Sequence, residues 1–260
     1  MTRTVRLRPW QKAALDRFVE QDEPDFLAVA TPGAGKTTFA LTAARHELAR
    51  HPARLIVVAP TAHLKIQWAR AAAGFSLHLD PAWAATDGRL PRDMHGIVTS
   101  YQQVASSAAT LARLAQGSFV IFDELHHAAE ERAWGAAIAE AFEGARRRLA
   151  LSGTPFRSDT RAIPFIRYRG DEAVPDFEYG YDDALRDRRV VRPVYFPRTS
   201  GEMEWQAPDG SIHAASFDDV LDATRASQRL RAALSLEAEW LPTVLRAANA
   251  RLTEVRREQP

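Results

Sequence analysis

A lysine inside a glycine-rich turn is the first group in this sequence with a clear chemical use. Residues 30–37 read Ala-Thr-Pro-Gly-Ala-Gly-Lys-Thr, which fits the phosphate-loop pattern if Ala30 is accepted in place of the first glycine. In such a loop the backbone N–H groups and the start of the following helix face an anion, and the lysine reaches the β and γ phosphates. Gly33 and Gly35 permit backbone angles and a close approach that a Cβ would hinder.

This pattern predicts a site for ATP and Mg²⁺. Lysine is scarce in the chain, at positions 12, 36 and 65 only, and arginine fills nearly every other basic position. Lys36 is therefore interpreted as a required point charge, and the Thr37 hydroxyl as a Mg²⁺ ligand. The alternative is a glycine-rich turn that binds nothing. The predicted nucleotide contacts are Thr31, Pro32, Gly33, Ala34, Gly35, Lys36, Thr37 and Thr38.

Two adjacent carboxylates end a second apolar run. Residues 119–127 read Phe-Val-Ile-Phe-Asp-Glu-Leu-His-His. Asp123 would bind Mg²⁺ directly or through water, while Glu124 would orient and deprotonate the water that attacks the γ-phosphate. The alternative is a helix N-terminus with acidic residues, which the helix dipole favours in any case.

Two histidines follow these carboxylates. Adjacent residues rarely aim at one ion, and no cysteine or further histidine lies at a zinc-like spacing. His126 is interpreted as a relay between the nucleotide and neighbouring segments, and is counted with Lys36, Asp123 and Glu124 as catalytic. His127 is interpreted as packing, with metal binding as the alternative for both.

Short apolar runs alternate with helical patterns around these motifs. Strands are predicted at 26–30, 55–59, 75–79, 96–99, 119–122 and 149–151, and helices at 8–21, 36–50, 61–73, 102–115 and 131–142. This alternation predicts an α/β fold with a mostly parallel sheet that helices cover on both faces.

The pattern changes after about residue 157. A strand is predicted at 190–196, a strand pair near 202–212 around Asp209-Gly210, and helices from about 217 to 257. We therefore expect a nucleotide-binding domain over residues 1–180 and a linker or small α+β and helical subdomain over 181–260.

Composition excludes several other classes. Apolar residues make up 46% and charged residues 26%, as in globular proteins, and the formal net charge is +1. Binding to nucleic acid must then come from local patches. No apolar run is long enough to cross a bilayer, so no membrane partner is expected, and the absence of cysteine suits the cytoplasm.

Five motifs in order resemble the superfamily 2 helicases and translocases, specifically the DEAD/DEAH-like branch that includes type III restriction helicase subunits. The resemblance covers residues 8 to about 157. Besides the two nucleotide motifs, it rests on Ala-Pro-Thr-Ala-His-Leu-Lys-Ile-Gln-Trp at 59–68, Val-Thr-Ser-Tyr-Gln at 98–102 and Leu-Ser-Gly-Thr-Pro-Phe-Arg at 151–157. It implies a RecA-like domain.

The resemblance also implies roles for single residues. Gln11 would read the adenine edge, since a side-chain amide offers a donor and an acceptor. Ser152 and Thr154 would couple the nucleotide state to strand binding. Pro60, Thr61 and Thr99 would lie along the nucleic-acid backbone; for Thr61 the alternative is ordinary capping of a helix.

One departure from the family concerns its second half. The family has two RecA-like domains with ATP at their interface, and the second supplies an arginine finger. No such motif is recognisable after residue 157, and Arg186, Arg188, Arg189 and Arg192 are interpreted as a solvated basic face rather than a finger. We therefore expect a shortened chain or one part of a split protein, completed by a second RecA-like domain or a partner subunit.

The sequence thus predicts the ATP-binding N-terminal motor domain of a nucleic-acid-dependent ATPase. Its turnover alone should be weak, and the restriction-like resemblance favours DNA over RNA as its partner. Two other functions stay open: a phosphotransferase with the same loop, and a non-catalytic module that binds a partner and keeps a nucleotide site.

Overall fold

The computed structural model describes residues 5–87, 90, 93–125, 132–154, 162–188, 190–191, 201–235 and 238–258. The chain divides into two compact units, Met1–Val191 and Arg192–Pro260. In the described ranges no helix is both long and apolar enough to cross a membrane.

Nine strands lie within the described residues of the first unit. They are β1 (Asp25–Ala30), β2 (Leu55–Ala59), β3 (Leu79–Asp80), β4 (Gly96–Ser100), β5 (Phe119–Phe122), β6 (Arg147–Ser152), β7 (Tyr168–Arg169), β8 (Glu172–Ala173) and β9 (Phe177–Tyr179). Seven of them form one sheet in the order β3-β4-β2-β5-β6-β1-β9, while β7 and β8 form a separate antiparallel pair. All neighbours in the large sheet run parallel.

Helices cover both faces of this sheet. Their bounds are α1 (Pro9–Glu20), α2 (Lys36–Arg50), α3 (Ala62–Ala73), α4 (Tyr101–Ala115), α5 (Arg132–Phe142) and α6 (Tyr181–Asp187), with a 3₁₀ turn at Ala85–Asp87. Side chains of α1, α2 and α3 share one core with every second residue of the strands, such as Val57 and Ile121. Side chains of α4 and α5 share the other with the alternate residues, such as Val58 and Phe122.

The predicted α/β fold with a mostly parallel, helix-covered sheet is confirmed. Burial on both faces explains why the strands read as continuous apolar runs, because parallel strands covered on both sides have no solvent face. The carboxyl ends of β1, β2, β4, β5 and β6 meet at one edge, and the predicted motifs follow those ends.

The strand predicted at 75–79 is wrong in extent. β3 comprises only Leu79–Asp80. Backbone N–H groups of Gly74, Phe75 and Ser76 bond to carbonyls at the end of α3, so the chain turns there before it extends. Ser76 has a φ of +59°, which a strand does not allow.

The first unit continues past residue 180, where the sequence prediction placed its end. β9 pairs with β1 at the edge of the sheet, and Ala184 of α6 is fully buried in the same core as Trp10. The first unit therefore extends to Val191 because β9 and α6 pack against the rest of it.

In the second unit the described ranges form a hairpin and two helices. Strands β10 (Glu202–Gln206) and β11 (Ile212–Ser216) pair antiparallel, and α7 (Ala223–Ala233) and α8 (Trp240–Glu258) follow. The hairpin turns at Gly210, which has a φ of +87°. These elements match the strand pair and helices expected there, whereas most of the strand predicted at 190–196 lies outside the described residues.

Candidate nucleotide-binding site

The glycine-rich loop joins β1 directly to α2. Gly33 and Gly35 have φ values of +76° and +92°, in the left-handed region that favours glycine. Gly35 is the N-cap of α2, and its carbonyl accepts from the N–H groups of Thr38 and Phe39. Thr37 and Thr38 lie half-buried in the first turn of the helix, while Pro32 and Gly33 are exposed. The loop thus joins a strand to a helix, as the sequence predicts, and both glycines adopt angles that a Cβ would hinder.

The start of α1 holds the carbonyl groups of this loop. Arg8 donates from Nη1 to the carbonyls of Gly33 and Ala34 at 3.2 and 2.9 Å, and Trp10 donates from Nε1 to Ala34 at 3.2 Å. A peptide's N–H points away from the C=O of the same unit. Fixing the Ala34 carbonyl therefore turns the N–H of Gly35 the other way, as an anion-binding loop requires, whereas the N–H of Ala34 donates to the carbonyl of Thr31 at 3.1 Å.

Gln11 completes this contact. Its Nε2 donates to the carbonyl of Gly35 at 2.9 Å, and its Oε1 accepts from the backbone N–H of Arg8 at 2.8 Å. The residue is only 2% exposed. In the described conformation Gln11 supports the loop, so contact with an adenine edge remains a prediction that relies on its second N–H or a change of rotamer.

Three motifs meet at Glu124. Its Oε1 lies 3.0 Å from Nζ of Lys36, and its Oε2 accepts from the backbone N–H of Gly153 at 2.9 Å. Nζ of Lys36 also donates to the carbonyl of Ala30 at 3.1 Å. One carboxylate therefore connects the loop lysine to the segment that follows β6.

Asp123 is held by aromatic donors on both faces of the sheet. Nε1 of Trp68 in α3 donates to its Oδ2 at 2.8 Å, and the hydroxyl of Tyr101 in α4 donates to its carbonyl at 2.9 Å. Its own N–H donates to Val58, which continues the ladder between β5 and β2. The pKa of Tyr101 is raised well above its usual value, mainly by burial and further by the carboxylates of Asp123 and Glu124. The hydroxyl therefore stays protonated and can donate a hydrogen bond.

The chain turns sharply between the two carboxylates. Glu124 has a φ of +49°, which is uncommon for a residue with a side chain and is usually held in place by surrounding contacts. Hydrogen bonds to the Asp123 carbonyl and to the Glu124 carboxylate provide such contacts. The turn allows neighbouring carboxylates to point to different partners.

The oxygen groups here suit Mg²⁺. A hydroxyl from Thr37 and a carboxylate from Asp123 are the hard ligands that this ion accepts, and such ions take only one or two carboxylates beside phosphate and water. Within the described ranges no group of three or more acidic, histidine or cysteine side chains could hold a metal by itself. The donor set fits an ion held jointly with a nucleotide.

The residues expected along a nucleic-acid backbone differ in exposure. Thr61 is exposed and caps α3, with its hydroxyl accepting from the N–H of Leu64 at 3.4 Å, and Pro60 before it is half-buried. Thr99 is fully buried, and its hydroxyl donates to Gln103 at 3.0 Å. A direct phosphate contact by the Thr99 hydroxyl is therefore incompatible with the described conformation, because β4 places that side chain inside.

Ser152 and Thr154 lie beside the Glu124 contact. Ser152 ends β6, is fully buried, and donates from its hydroxyl to the carbonyl of Thr154 at 2.8 Å. Thr154 is exposed. The residue between them, Gly153, makes the hydrogen bond to Glu124, so the segment predicted to couple nucleotide and strand touches the candidate base directly.

The remaining predicted histidines and arginines lie either outside the described residues or on the surface. His126, His127, Arg157, Arg189 and Arg192 lie outside the described residues. Arg186 is exposed and pairs with Asp183 one helical turn earlier, and Arg188 is exposed at the end of α6.

Sequence reasoning missed Arg8, Trp10, Trp68, Tyr101 and Gly153 as contacts of the site. Trp68, Tyr101 and Gly153 lie inside the quoted motifs, and Arg8 and Trp10 lie within three residues of Gln11, so the segments were identified while their donor groups were not. The single signal was composition: indole and phenol groups buried near a carboxylate usually find a hydrogen-bond partner.

Comparisons with known proteins identify the family to which this chain belongs. The family model described as "Type III restriction enzyme, res subunit" matches residues 4–157. Uncharacterized proteins of Mycobacterium tuberculosis and Mycobacterium leprae are 45% and 44% identical over 98% of this chain, which spans 43% and 44% of their lengths.

Two solved structures share the fold. The Hef helicase domain of Pyrococcus furiosus has a TM-score of 0.54 at 20% identity, over 73% of this chain and 40% of its own. A nuclease-deletion mutant of the type ISP restriction-modification enzyme LlaGI, in complex with a DNA substrate mimic, has a TM-score of 0.50 at 16% identity, over 71% of this chain and 21% of its own. Because the family model covers more than half of the chain, this protein belongs to the family of type III restriction enzyme res subunits and has the helicase-like, RecA-like N-terminal domain of that family.

Proposed function

We propose that this chain is the ATP-binding motor domain of a nucleic-acid-dependent ATPase of helicase or translocase type. The observation that carries the proposal is the meeting of Lys36, Glu124 and Gly153, since one carboxylate joins the phosphate loop to the segment after β6. A simple phosphate-binding turn would not need that connection.

Each side chain has a distinct task in this proposal. The loop N–H groups and Lys36 bind the β and γ phosphates, and Thr37 and Asp123 hold Mg²⁺, which neutralises phosphate charge when bound. Glu124 orients the attacking water and takes its proton. Because Glu124 is paired with Lys36 at 3.0 Å, nucleotide phosphates must draw the lysine away before the carboxylate can act.

Nucleic acid is the proposed polymer partner, with DNA favoured over RNA. The structure of similar fold that contains a DNA substrate mimic supports this choice. On this chain, exposed Thr61 at the start of α3 and Pro60 before it offer a hydroxyl and a helix N-terminus to a phosphate backbone.

A second RecA-like domain or a partner subunit is proposed to complete the motor. This chain spans 43% of the length of curated relatives. An arginine finger contributes roughly 10³–10⁵ in rate in well-studied nucleotide hydrolases, so slow turnover is expected from these residues alone.

A partner-binding role for the second unit is a second candidate. Large apolar side chains are exposed there on the hairpin, the following turn and both helices: Ile212, Val220, Leu230, Leu234 and Leu245. Five exposed apolar side chains within one small unit are the observation behind this candidate, which requires that they act together as one continuous surface. Capture of a defined partner by residues 192–260, with no ATP turnover under any condition, would favour this function over a motor.

The test is ATP turnover with single-stranded DNA, double-stranded DNA, RNA or no polymer. Stimulation by one polymer that is lost in both Lys36→Ala and Glu124→Gln supports the proposal and names the polymer. Turnover that neither substitution changes would contradict it, because the reaction would then occur elsewhere.

A further inference from the structure

We propose that Trp68 and Tyr101 are positioning residues for Asp123, setting its carboxylate and its backbone so that the chain binds Mg²⁺ together with ATP. The inference deepens the proposed function and rests on it. It concerns two donors on separate helices, α3 and α4, which reach Asp123 from opposite faces of the sheet.

Trp68 fixes the carboxylate. The terminal torsion of an aspartate has broad preferences, so the side chain alone does not select one orientation. Trp68 is 3% exposed and its indole is packed in the core beneath α3, so its N–H has a fixed direction. A donor held in this way at 2.8 Å from Oδ2 selects the orientation of the carboxylate.

Tyr101 fixes the peptide group that follows. It is fully buried at the first turn of α4, stacked against Trp134 with 6.1 Å between ring centroids. Its hydroxyl holds the Asp123 carbonyl at 2.9 Å, immediately before the left-handed turn at Glu124. The bond therefore sets the direction in which the chain leaves Asp123.

Groups that orient a metal ligand affect metal affinity strongly although they never touch the metal. Losing such a group typically weakens affinity or activity about 10–100-fold. Trp68→Phe keeps a large aromatic ring and removes the N–H, and Tyr101→Phe removes only the hydroxyl oxygen. Neither change alters a group that would contact nucleotide or ion.

Trp83 provides a matched control. It is 2% exposed, and in the described part of the chain its indole nitrogen has no hydrogen-bond partner. Trp83→Phe therefore removes a buried indole N–H from the same domain without removing a bond to Asp123.

The experiment measures binding of a fluorescent ATP analogue as Mg²⁺ is titrated, and again in EDTA, with thermal unfolding of each variant alongside. We expect Trp68→Phe to need about tenfold more Mg²⁺ for half-maximal tight binding, with binding in EDTA unchanged. Tyr101→Phe should shift in the same direction, and Trp83→Phe should stay within about twofold of the original protein.

Two results would overturn the inference by itself. Trp68→Phe and Tyr101→Phe could both match Trp83→Phe, or both could lose binding equally in Mg²⁺ and EDTA, which indicates a general loss of structure. If Trp68→Phe does not fold, Tyr101→Phe decides the outcome. Failure of the unsubstituted protein to bind ATP in a Mg²⁺-dependent way would instead reject the proposed function, and this inference with it.

Discussion

Lys36 and Glu124 form an ion pair of 3.0 Å, and the same carboxylate accepts the N–H of Gly153 at 2.9 Å. The two side chains are 12% and 27% exposed, so the pair is largely shielded from water. In the described state the candidate phosphate ligand and the candidate base neutralise each other. When a nucleotide binds, Lys36 must leave Glu124 and contact phosphate. The roles of the lysine in binding and of the carboxylate in hydrolysis can therefore be measured separately.

Substitution Glu124→Gln should separate binding from hydrolysis. The amide keeps an oxygen for the Gly153 N–H but cannot take a proton, so ATP binding should persist while phosphate release falls about 10²–10⁴-fold. Single-turnover phosphate release with protein in excess, beside equilibrium ATP binding, measures both. Undiminished phosphate release in the variant would remove Glu124 from the role of base.

Arg8 should contribute to ATP affinity through the loop. Its guanidinium group donates to the carbonyls of Gly33 and Ala34 at 3.2 and 2.9 Å. Arg8→Ala removes two charge-assisted bonds that orient the loop, so we expect about tenfold weaker Mg²⁺-ATP binding by calorimetry. Arg6, which is exposed two residues earlier, provides the control, and equal effects of Arg6→Ala and Arg8→Ala would show a general charge effect instead.

Two glycines of the loop should differ in their tolerance of alanine. Both have positive φ, so alanine costs about 1–2 kcal/mol at either position. A Cβ on Gly35 would also lie 2.7 Å from Nε2 of Gln11, whereas a Cβ on Gly33 meets nothing within 4 Å. Urea unfolding should show that Gly35→Ala loses about 1 kcal/mol more than Gly33→Ala, since Gln11 must give up a hydrogen bond. Equal losses would mean that Gln11 adjusts freely.

Tyr179 should make unfolding depend on alkaline pH. Its pKa is raised to about 12, mainly by burial and further by the hydrogen bond that its hydroxyl donates to Asp187 at 2.8 Å. An unfolded tyrosine titrates near pH 10, so the folded state keeps its proton longer, and this stability is complete below about pH 10 and lost towards pH 12.

The matched variant for this effect is Tyr179→Phe, which keeps the ring that stacks on Trp10 with 5.2 Å between centroids. Between about pH 9 and pH 11 the original protein should lose about 1 kcal/mol more free energy of unfolding than the variant. Urea titrations at the two pH values measure the difference. Parallel losses would show that other groups cause the alkaline effect.

The central fold was predictable because its signals are local and repeated. Runs such as 55–59 and 119–122 are apolar throughout, which is typical of parallel strands buried on both faces. The loop at 30–37 depends on glycine positions that a sequence displays directly. Edge elements were harder: β3 has two residues, and its position depends on how α3 ends at Gly74 and Ser76.

Contacts between motifs could not be predicted from the sequence. Trp68 lies 55 positions from Asp123, and the sheet order that brings β2 beside β5 decides that they meet. Thr99 is a second case, because the family resemblance places it along a nucleic-acid backbone but does not show that β4 turns its side chain inward to Gln103. Which face a strand residue occupies follows from three-dimensional pairing.

The most direct test of the proposed nucleotide site is Mg²⁺-dependent ATP binding by the unsubstituted protein and by Lys36→Ala, measured by calorimetry. We predict saturable binding that is weakened at least about tenfold without Mg²⁺ or without the lysine amine. Equal binding by both proteins, or no binding by either, would contradict the claim that residues 30–37 form a nucleotide phosphate site.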